Sequence, residues 1–195
     1  RKTKGYTICQ VGDIKIALVA FTKGVGSLGL PVGSEDCVNL LYEDYYTTYQ
    51  TINKKGIRNI LRAAEAEKPD LTIALLHWGS EYNEAISKSQ EDIAKLMIGE
   101  GVDVIIGGHP HVVQPVELLQ SNTDDTHKTV CLYSMGNAVS NQRLGKIQSI
   151  STAHTEDGVL FSVSFSKYSD GTVALEGVDL IPCWVNLHSN NGRSE

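Results

Sequence analysis

Two largely apolar runs, Leu71–Leu76 and Val102–Ile106, stand out along the chain, with a segment between them whose apolar residues recur at helical spacing. Short apolar runs rich in Ile, Val and Leu predict buried strands. Between them Ile93, Leu96 and Met97 share one face of a helix predicted over about residues 89–99. Ser89 is its expected N-cap, Glu91 and Asp92 fill the first turn where the dipole favours acids, and Gly101 closes it. Strand, helix and strand in this order predict a βαβ unit whose strands are parallel neighbours.

The flanking patterns extend this unit. Tyr6–Val11 and Ile14–Phe21 surround Gly12-Asp13, a two-residue turn signal, and predict a hairpin. Ile57, Ile60, Leu61 and Ala64 form one stripe of a helix over 53–66 that ends before Pro69. Tyr42, Tyr45, Tyr46 and Tyr49 recur at intervals of three and four, as on a half-buried helical face, which favours packing over binding. The glycine-rich stretch 22–33 matches neither the P-loop nor the dinucleotide fingerprint and is read as a loop. Further on, Pro115–Leu119 and Thr129–Ser134 read as strands and 138–157 as a loop. Gly158–Tyr168 and Thr172–Leu180 form a second hairpin around Ser169-Asp170-Gly171. The expected architecture is α/β with one unit over 1–185 and a polar tail over 186–195 that frays.

Chemistry enters where the two apolar strands stop. The first ends in His77-Trp78-Gly79, the second in Gly107-Gly108-His109-Pro110-His111. Parallel neighbours lie about 4.8 Å apart, so the imidazoles reach one edge of the sheet, the carboxyl edge at which α/β proteins bind ligands. Pro110 is expected to keep His109 extended. Three imidazoles converging there suggest a metal site at His77, His109 and His111; the alternative is three structural histidines bonded to loop carbonyls. Trp78, Glu81, Asn137 and Arg143 are candidate substrate contacts, with Trp78 equally suited to packing under the ligand turn and Asn137 to capping a helix. His127, His154 and His188 lie in polar stretches and are expected to be solvated, and Asp103 is expected at the solvent end of its strand.

Charge and cysteine usage narrow the function classes. The formal net charge is −6, with ten basic against seven acidic residues over 1–68 and seven against sixteen thereafter. Without a basic stripe, nucleic acid is excluded as a partner. An anionic substrate would need a bound cation to receive it. The four cysteines, Cys9, Cys37, Cys131 and Cys183, form no C-x-x-C pair and are read as free thiols. No apolar run approaches a membrane span and no signal peptide opens the chain. It begins at Arg1 without an initiating Met, as expected for a piece of a longer protein or a processed end.

Taken together, His77-Trp78-Gly79-Ser80-Glu81-Tyr82, then Gly107-Gly108-His109-Pro110-His111 with Gln114-Pro115, then Tyr133-Ser134-Met135-Gly136-Asn137 resemble the poly-gamma-glutamate capsule-synthesis protein family of the CapA type. The resemblance runs from about Tyr6 to Leu180. It implies part of an αββα sandwich with a mixed sheet, similar to calcineurin-like metallophosphoesterases, whose sites hold two divalent ions (manganese, iron or zinc). His77 and His109 would then ligate one ion and His111 the other. The family's earlier motifs are missing: upstream of His77 there is no Asp-x-His and no Asn-His, and the one Gly-Asp, Gly12-Asp13, falls on a hairpin turn. Gly108 and Ala138 stand where the family often has histidine and phenylalanine.

The resemblance therefore implies the C-terminal portion of a larger domain, holding one ion or none and catalytically silent by itself. Its implied function is biosynthesis of poly-gamma-glutamate or a related envelope polymer by a metal-dependent hydrolase. The alternative is a non-catalytic assembly or polymer-binding module. Implied partners are the N-terminal half of the same domain and an anionic envelope polymer or phosphorylated substrate. Because few long helices are identifiable to cover both sides of a βαβ sheet, an open apolar face and self-association are also expected. The implied location is the cell envelope, through an anchor lying outside this sequence.

Overall fold

The computed structural model describes residues 4–26, 29–122, 124, 126–186, 189–190 and 193–194. Its frame is a six-stranded mixed sheet. In chain order the strands are β1 (Tyr6–Val11), β2 (Ile14–Thr22), β3 (Leu71–His77), β4 (Val104–Gly108), β5 (Val113–Gln120) and β6 (Lys128–Met135), arranged β1-β2-β3-β4-β6-β5. The four central strands β2, β3, β4 and β6 are parallel, and β1 and β5 pair antiparallel at the edges. The expected α/β class, hairpin and βαβ unit are all present, and the register Leu76↔Gly107, His77↔Gly108 sets the ends of β3 and β4 level.

Helices α1 (Lys54–Glu65) and α2 (Lys88–Gly99) share one face of this sheet. They bury Ile57, Leu61, Ile93 and Met97 against Ala17, Val19, Phe21, Ala74, Leu76, Ile105, Cys131 and Tyr133. These sheet residues alternate along β2, β3, β4 and β6, as the two-residue period of a strand requires. Asn53 caps α1 by accepting from the Gly56 N–H. The N-cap of α2 is Ser87 rather than Ser89. Gln90 reaches back to the Ser87 backbone and completes a capping box, which only a residue three places after the cap can do.

The opposite face is crossed by a ribbon of two long antiparallel strands, β7 (Asp157–Lys167) and β8 (Val173–Trp184), joined at the expected turn. One end is tied to β6 by the Gly136↔Gly158 bridge and the other to the far side of the sheet, where Lys167 Nζ lies 2.8 Å from Asp70 and donates to the Asp13 carbonyl. Val159, Phe161, Val163 and Phe165 are partly buried along β7 while Leu160, Ser162 and Ser164 face out. The ribbon leaves part of this face bare: a basin of about 930 Å³ floored by Leu18, Ala20, Leu75 and Ile106 opens beside His77.

Residues 42–49 are not helical; a bridge at Tyr42 leads into successive turns. The Asp44 carboxylate accepts from the backbone N–H of Gln50 and Thr51 and from the Thr48 hydroxyl, replacing helical bonds by local side-chain ones. Tyr42 is nonetheless buried in the core, as its spacing suggested. At the other end, Ser189–Asn190 and Arg193–Ser194 form a short ladder, β9–β10, within the tail expected to fray. His188 lies outside the described residues, as do positions 187, 191–192 and 195 of that tail.

Among the described residues no helix is long and apolar enough to cross a membrane. All four cysteines are free.

Candidate metal centre at the carboxyl edge of the sheet

The site stands on a floor of close packing. Gly107, the last residue but one of β4, packs against Trp78 and Tyr133: a Cβ added there would come within 2.0 Å of the Tyr133 carbonyl oxygen and 2.4 Å of Trp78 Nε1. That bare position lets Trp78 stack on Tyr133 at 5.6 Å and donate its indole N–H to the Tyr133 carbonyl at 2.8 Å. Trp78 is fully buried. The reading of Trp78 as a substrate contact is therefore corrected: no face of the ring is open to a ligand, and it supports the turn above it.

That turn departs from the extended geometry expected of a residue before proline. His109 has φ +96° and His111 φ +59°, on either side of buried Pro110. Non-glycine residues in this region cost of the order of 1–3 kcal/mol each and persist where neighbours hold them. Here the Tyr82 N–H donates to the Pro110 carbonyl at 2.7 Å and the Trp78 N–H to the Gly108 carbonyl at 3.2 Å. The turn is thus bonded to the segment that follows β3. That segment is pinned in turn by Gln114, whose amide donates to the carbonyls of Asn83 and Ala85 and accepts from buried Gln90 at 2.8 Å. Glu81 sits on this fixed loop.

The rings of His77 and His109 lie 4.5 Å apart and those of His109 and His111 6.2 Å apart. Donor atoms of Glu81, His109 and His111 all fall within 4.8 Å of one another. Around a tetrahedral ion with bonds of about 2.0–2.1 Å, donors sit roughly 3.3 Å apart, so modest rotation, chiefly of exposed Glu81, closes the set. Two imidazoles and a carboxylate suit manganese, iron or zinc. The grouping differs from the expected one. Glu81, read from the sequence as a substrate contact, supplies a carboxylate to the cluster, so the donors are not all neutral. His77, although its ring faces His109, is outside the three-atom group.

Asn137 decides which nitrogen His111 offers. Its amide nitrogen donates to the carbonyls of His111 (3.2 Å) and Thr155 (2.9 Å), which orients its oxygen to accept from His111 Nδ1–H at 2.9 Å. With the proton held at Nδ1, the Nε2 lone pair of His111 is free for an ion. Asn137 is 8% exposed, so it positions a ligand residue rather than meeting substrate or capping a helix. His109 is held neutral by burial first and then by Lys23, His77 and His111, which together bring it down to about 4. Burial, Lys23 and His111 likewise lower His77, against the opposing pull of Glu81.

Arg143 lies elsewhere. Its guanidinium pairs with Glu156 at 2.8 Å and donates to the Val185 carbonyl, and both side chains of the pair are largely covered. It ties the 138–152 loop to the ribbon through this covered pair, which corrects its reading as a substrate contact. At the opposite sheet edge, His127 is half-buried and hydrogen-bonded to the Val102 carbonyl at 3.1 Å, contrary to the solvated position expected. Asp103 beside it accepts from the Thr72 N–H at 2.7 Å, and burial pushes its carboxyl up to about 6. His154 is exposed as expected and pairs with Asp157 at 3.0 Å.

A residue without any motif signal completes the centre. Lys23, immediately after β2, directs its ammonium to the Gly79 carbonyl at 2.7 Å and lies 3.5 Å from His109 Nε2. It reaches this edge because β2 runs parallel to β3 in the sheet.

Comparison with known proteins places this geometry in a family. The profile described as "Bacterial capsule synthesis protein PGA_cap" matches residues 1–142, a segment that contains His77, Glu81, His109, His111 and Asn137. Over 126 residues the chain is 32% identical to the "Capsule biosynthesis protein CapA" of Bacillus anthracis, covering 64% of this chain and 26% of that protein. Over 118 residues it is 30% identical to the "PGA biosynthesis protein CapA" of Bacillus subtilis (strain 168), covering 60% of this chain and 27% of that protein. The chain thus spans about a quarter of the length of these curated relatives. A hypothetical protein from Thermus thermophilus shares the fold, with a TM-score of 0.50 at 12% identity over 93% of this chain and 62% of that one. By the extent of the profile match, the chain belongs to the bacterial capsule synthesis protein family PGA_cap.

Proposed function

We propose that the chain serves in the biosynthesis of a capsule-type envelope polymer, and that Glu81, His109 and His111 hold one divalent ion that meets an anionic group of the polymer or of a phosphorylated precursor. The observation that carries this reading is the convergence of one carboxylate and two imidazoles within 4.8 Å at the carboxyl edge of the sheet. The names of the capsule-biosynthesis relatives support the process. Within the site, Glu81 offsets part of a dication's charge, Asn137 fixes the His111 tautomer, and buried Trp78 keeps the turn rigid. A bound divalent ion would supply Lewis acidity toward a phosphate or carboxylate oxygen.

Three donors suit a single ion, so we assign this chain ion and anion binding. Turnover is assigned to a longer protein that brings further ligands, in keeping with the greater length of the curated relatives. The experiment follows binding and turnover separately, with the manganese-loaded chain offered a phosphodiester and γ-linked polyglutamate. Expected is metal-dependent binding, abolished by His109→Ala, without turnover. Polymer binding indifferent to metal would contradict the site, and turnover by the chain alone would contradict the single-ion assignment.

A further inference from the structure

The histidine edge continues into a cleft of about 400 Å³ whose walls include Lys23, Tyr49, His77, Ser80, Glu81 and His109. Lys23 is half-buried there and has no carboxylate within salt-bridge distance among the described residues. Its contacts are otherwise neutral: the Gly79 carbonyl, the His109 Nε2 lone pair, and the Tyr49 ring, whose centroid is 4.8 Å from Nζ. Glu81 acts on it only through space. A partly desolvated ammonium with neutral partners leaves a positive charge facing the cleft without its complement.

The position of this charge is informative as well as its sign. Lys23 Nζ lies 3.5 Å from Nε2 of His109, one of the three residues grouped around the proposed ion site, so an ammonium and a dication held there would be near neighbours. Two cations so placed repel, and an anion between them turns the repulsion into a clamp. An oxyanion fits: one oxygen toward the ion held by His109, another accepting from Lys23. Ser80 on the same wall adds a hydroxyl that can donate to it.

We infer that Lys23 is an oxyanion-binding residue of this site, holding a phosphate or carboxylate group of the ligand against the ion at Glu81, His109 and His111. The inference rests in part on the proposed metal site and deepens it by naming the group that the ion receives. It makes an unusual demand: Lys23 opposes ion binding when no anion is present and favours it when one is. By linkage, anion and ion then tighten each other's binding by the same factor.

The test uses inorganic phosphate and a short γ-linked glutamate peptide as probes and Mn²⁺ as the ion, with wild type, Lys23→Gln and Lys23→Arg compared. Phosphate binding is followed first on metal-free protein by ³¹P line broadening. Expected is binding by wild type and Lys23→Arg that falls at least tenfold in Lys23→Gln. Mn²⁺ affinity is then measured by electron paramagnetic resonance with and without each probe. Lys23→Gln should bind Mn²⁺ more tightly than wild type in the absence of anion and should lose the tightening that the anion produces. If only phosphate couples to Mn²⁺ the ligand group is a phosphate; if only the peptide does, a carboxylate. Equal anion binding by wild type and Lys23→Gln overturns the inference while leaving the metal site standing. Anion binding through Lys23 with no Mn²⁺ binding by wild type overturns the clamp against an ion and the proposed metal site together, leaving Lys23 as an anion-binding residue alone.

Discussion

Replacing Asn137 by Ala tests whether this buried amide sets the chemistry of His111. The side chain makes three hydrogen bonds, to His111 Nδ1 and to the carbonyls of His111 and Thr155. Net contributions of about 1 kcal/mol per bond, raised where a buried partner is left unsatisfied, give a stability loss of about 2–4 kcal/mol. In a chain of this length that lowers the melting temperature by roughly 5–12 °C. A structural role alone would stop there. If the amide also fixes the tautomer, the folded variant loses metal affinity by roughly 10–100-fold, the usual effect of removing a group that orients a ligand histidine. Thermal melts followed by circular dichroism read the first quantity and metal titration below the melting range reads the second. Long-range ¹H–¹⁵N correlation of the imidazole gives the tautomer directly. The reasoning fails if metal-free wild type carries the His111 proton on Nε2, or if Asn137→Ala loses stability yet binds metal as wild type does.

Two further expectations concern the frame. Asp103→Asn keeps an acceptor for the Thr72 N–H but removes a carboxyl whose proton is held up to about 6 by burial, against the Thr72 bond and His127. Such a raised carboxyl contributes stability that is full below the unfolded value near 4 and lost as pH rises through about 6. Relative to wild type the variant should therefore gain up to about 3 kcal/mol between pH 4 and pH 7.5, and parallel denaturation curves across that range would refute the assignment. Gly107→Ala drives a methyl into the Tyr133 carbonyl and the Trp78 indole, and a loss of about 3 kcal/mol or more is expected in urea unfolding; a wild-type midpoint would show that the packing is looser than described.

The strands and helices were legible because each announces itself within a dozen residues: apolar runs for β3 and β4, a stripe for α1, Gly12-Asp13 for the first hairpin and Ser169-Asp170-Gly171 for the second. The His77–His109–His111 edge followed from the βαβ rule, which needs only chain order. What escaped the sequence depended on longer reach. Glu81 joins the cluster because Gln114 and Gln90 hold the loop around it, and no local pattern links residues 81, 90 and 114. Lys23 arrives through the pairing of β2 with β3 across an intervening helix. The tyrosine spacing mimicked a helix, while one carboxylate, Asp44, collected the local N–H groups into turns instead. Arg143 sat in a polar loop that looked free for substrate, and its ion pair with Glu156 becomes visible only once the ribbon folds back.

The most direct test of the account is a calorimetric titration of the metal-free protein with Mn²⁺ or Zn²⁺, repeated for Glu81→Gln, His109→Ala, His111→Ala and His77→Ala. One ion per chain is expected, with binding abolished by each of the first three replacements and only weakened by His77→Ala. An ion bound equally well by Glu81→Gln, or no ion bound by wild type, would contradict it.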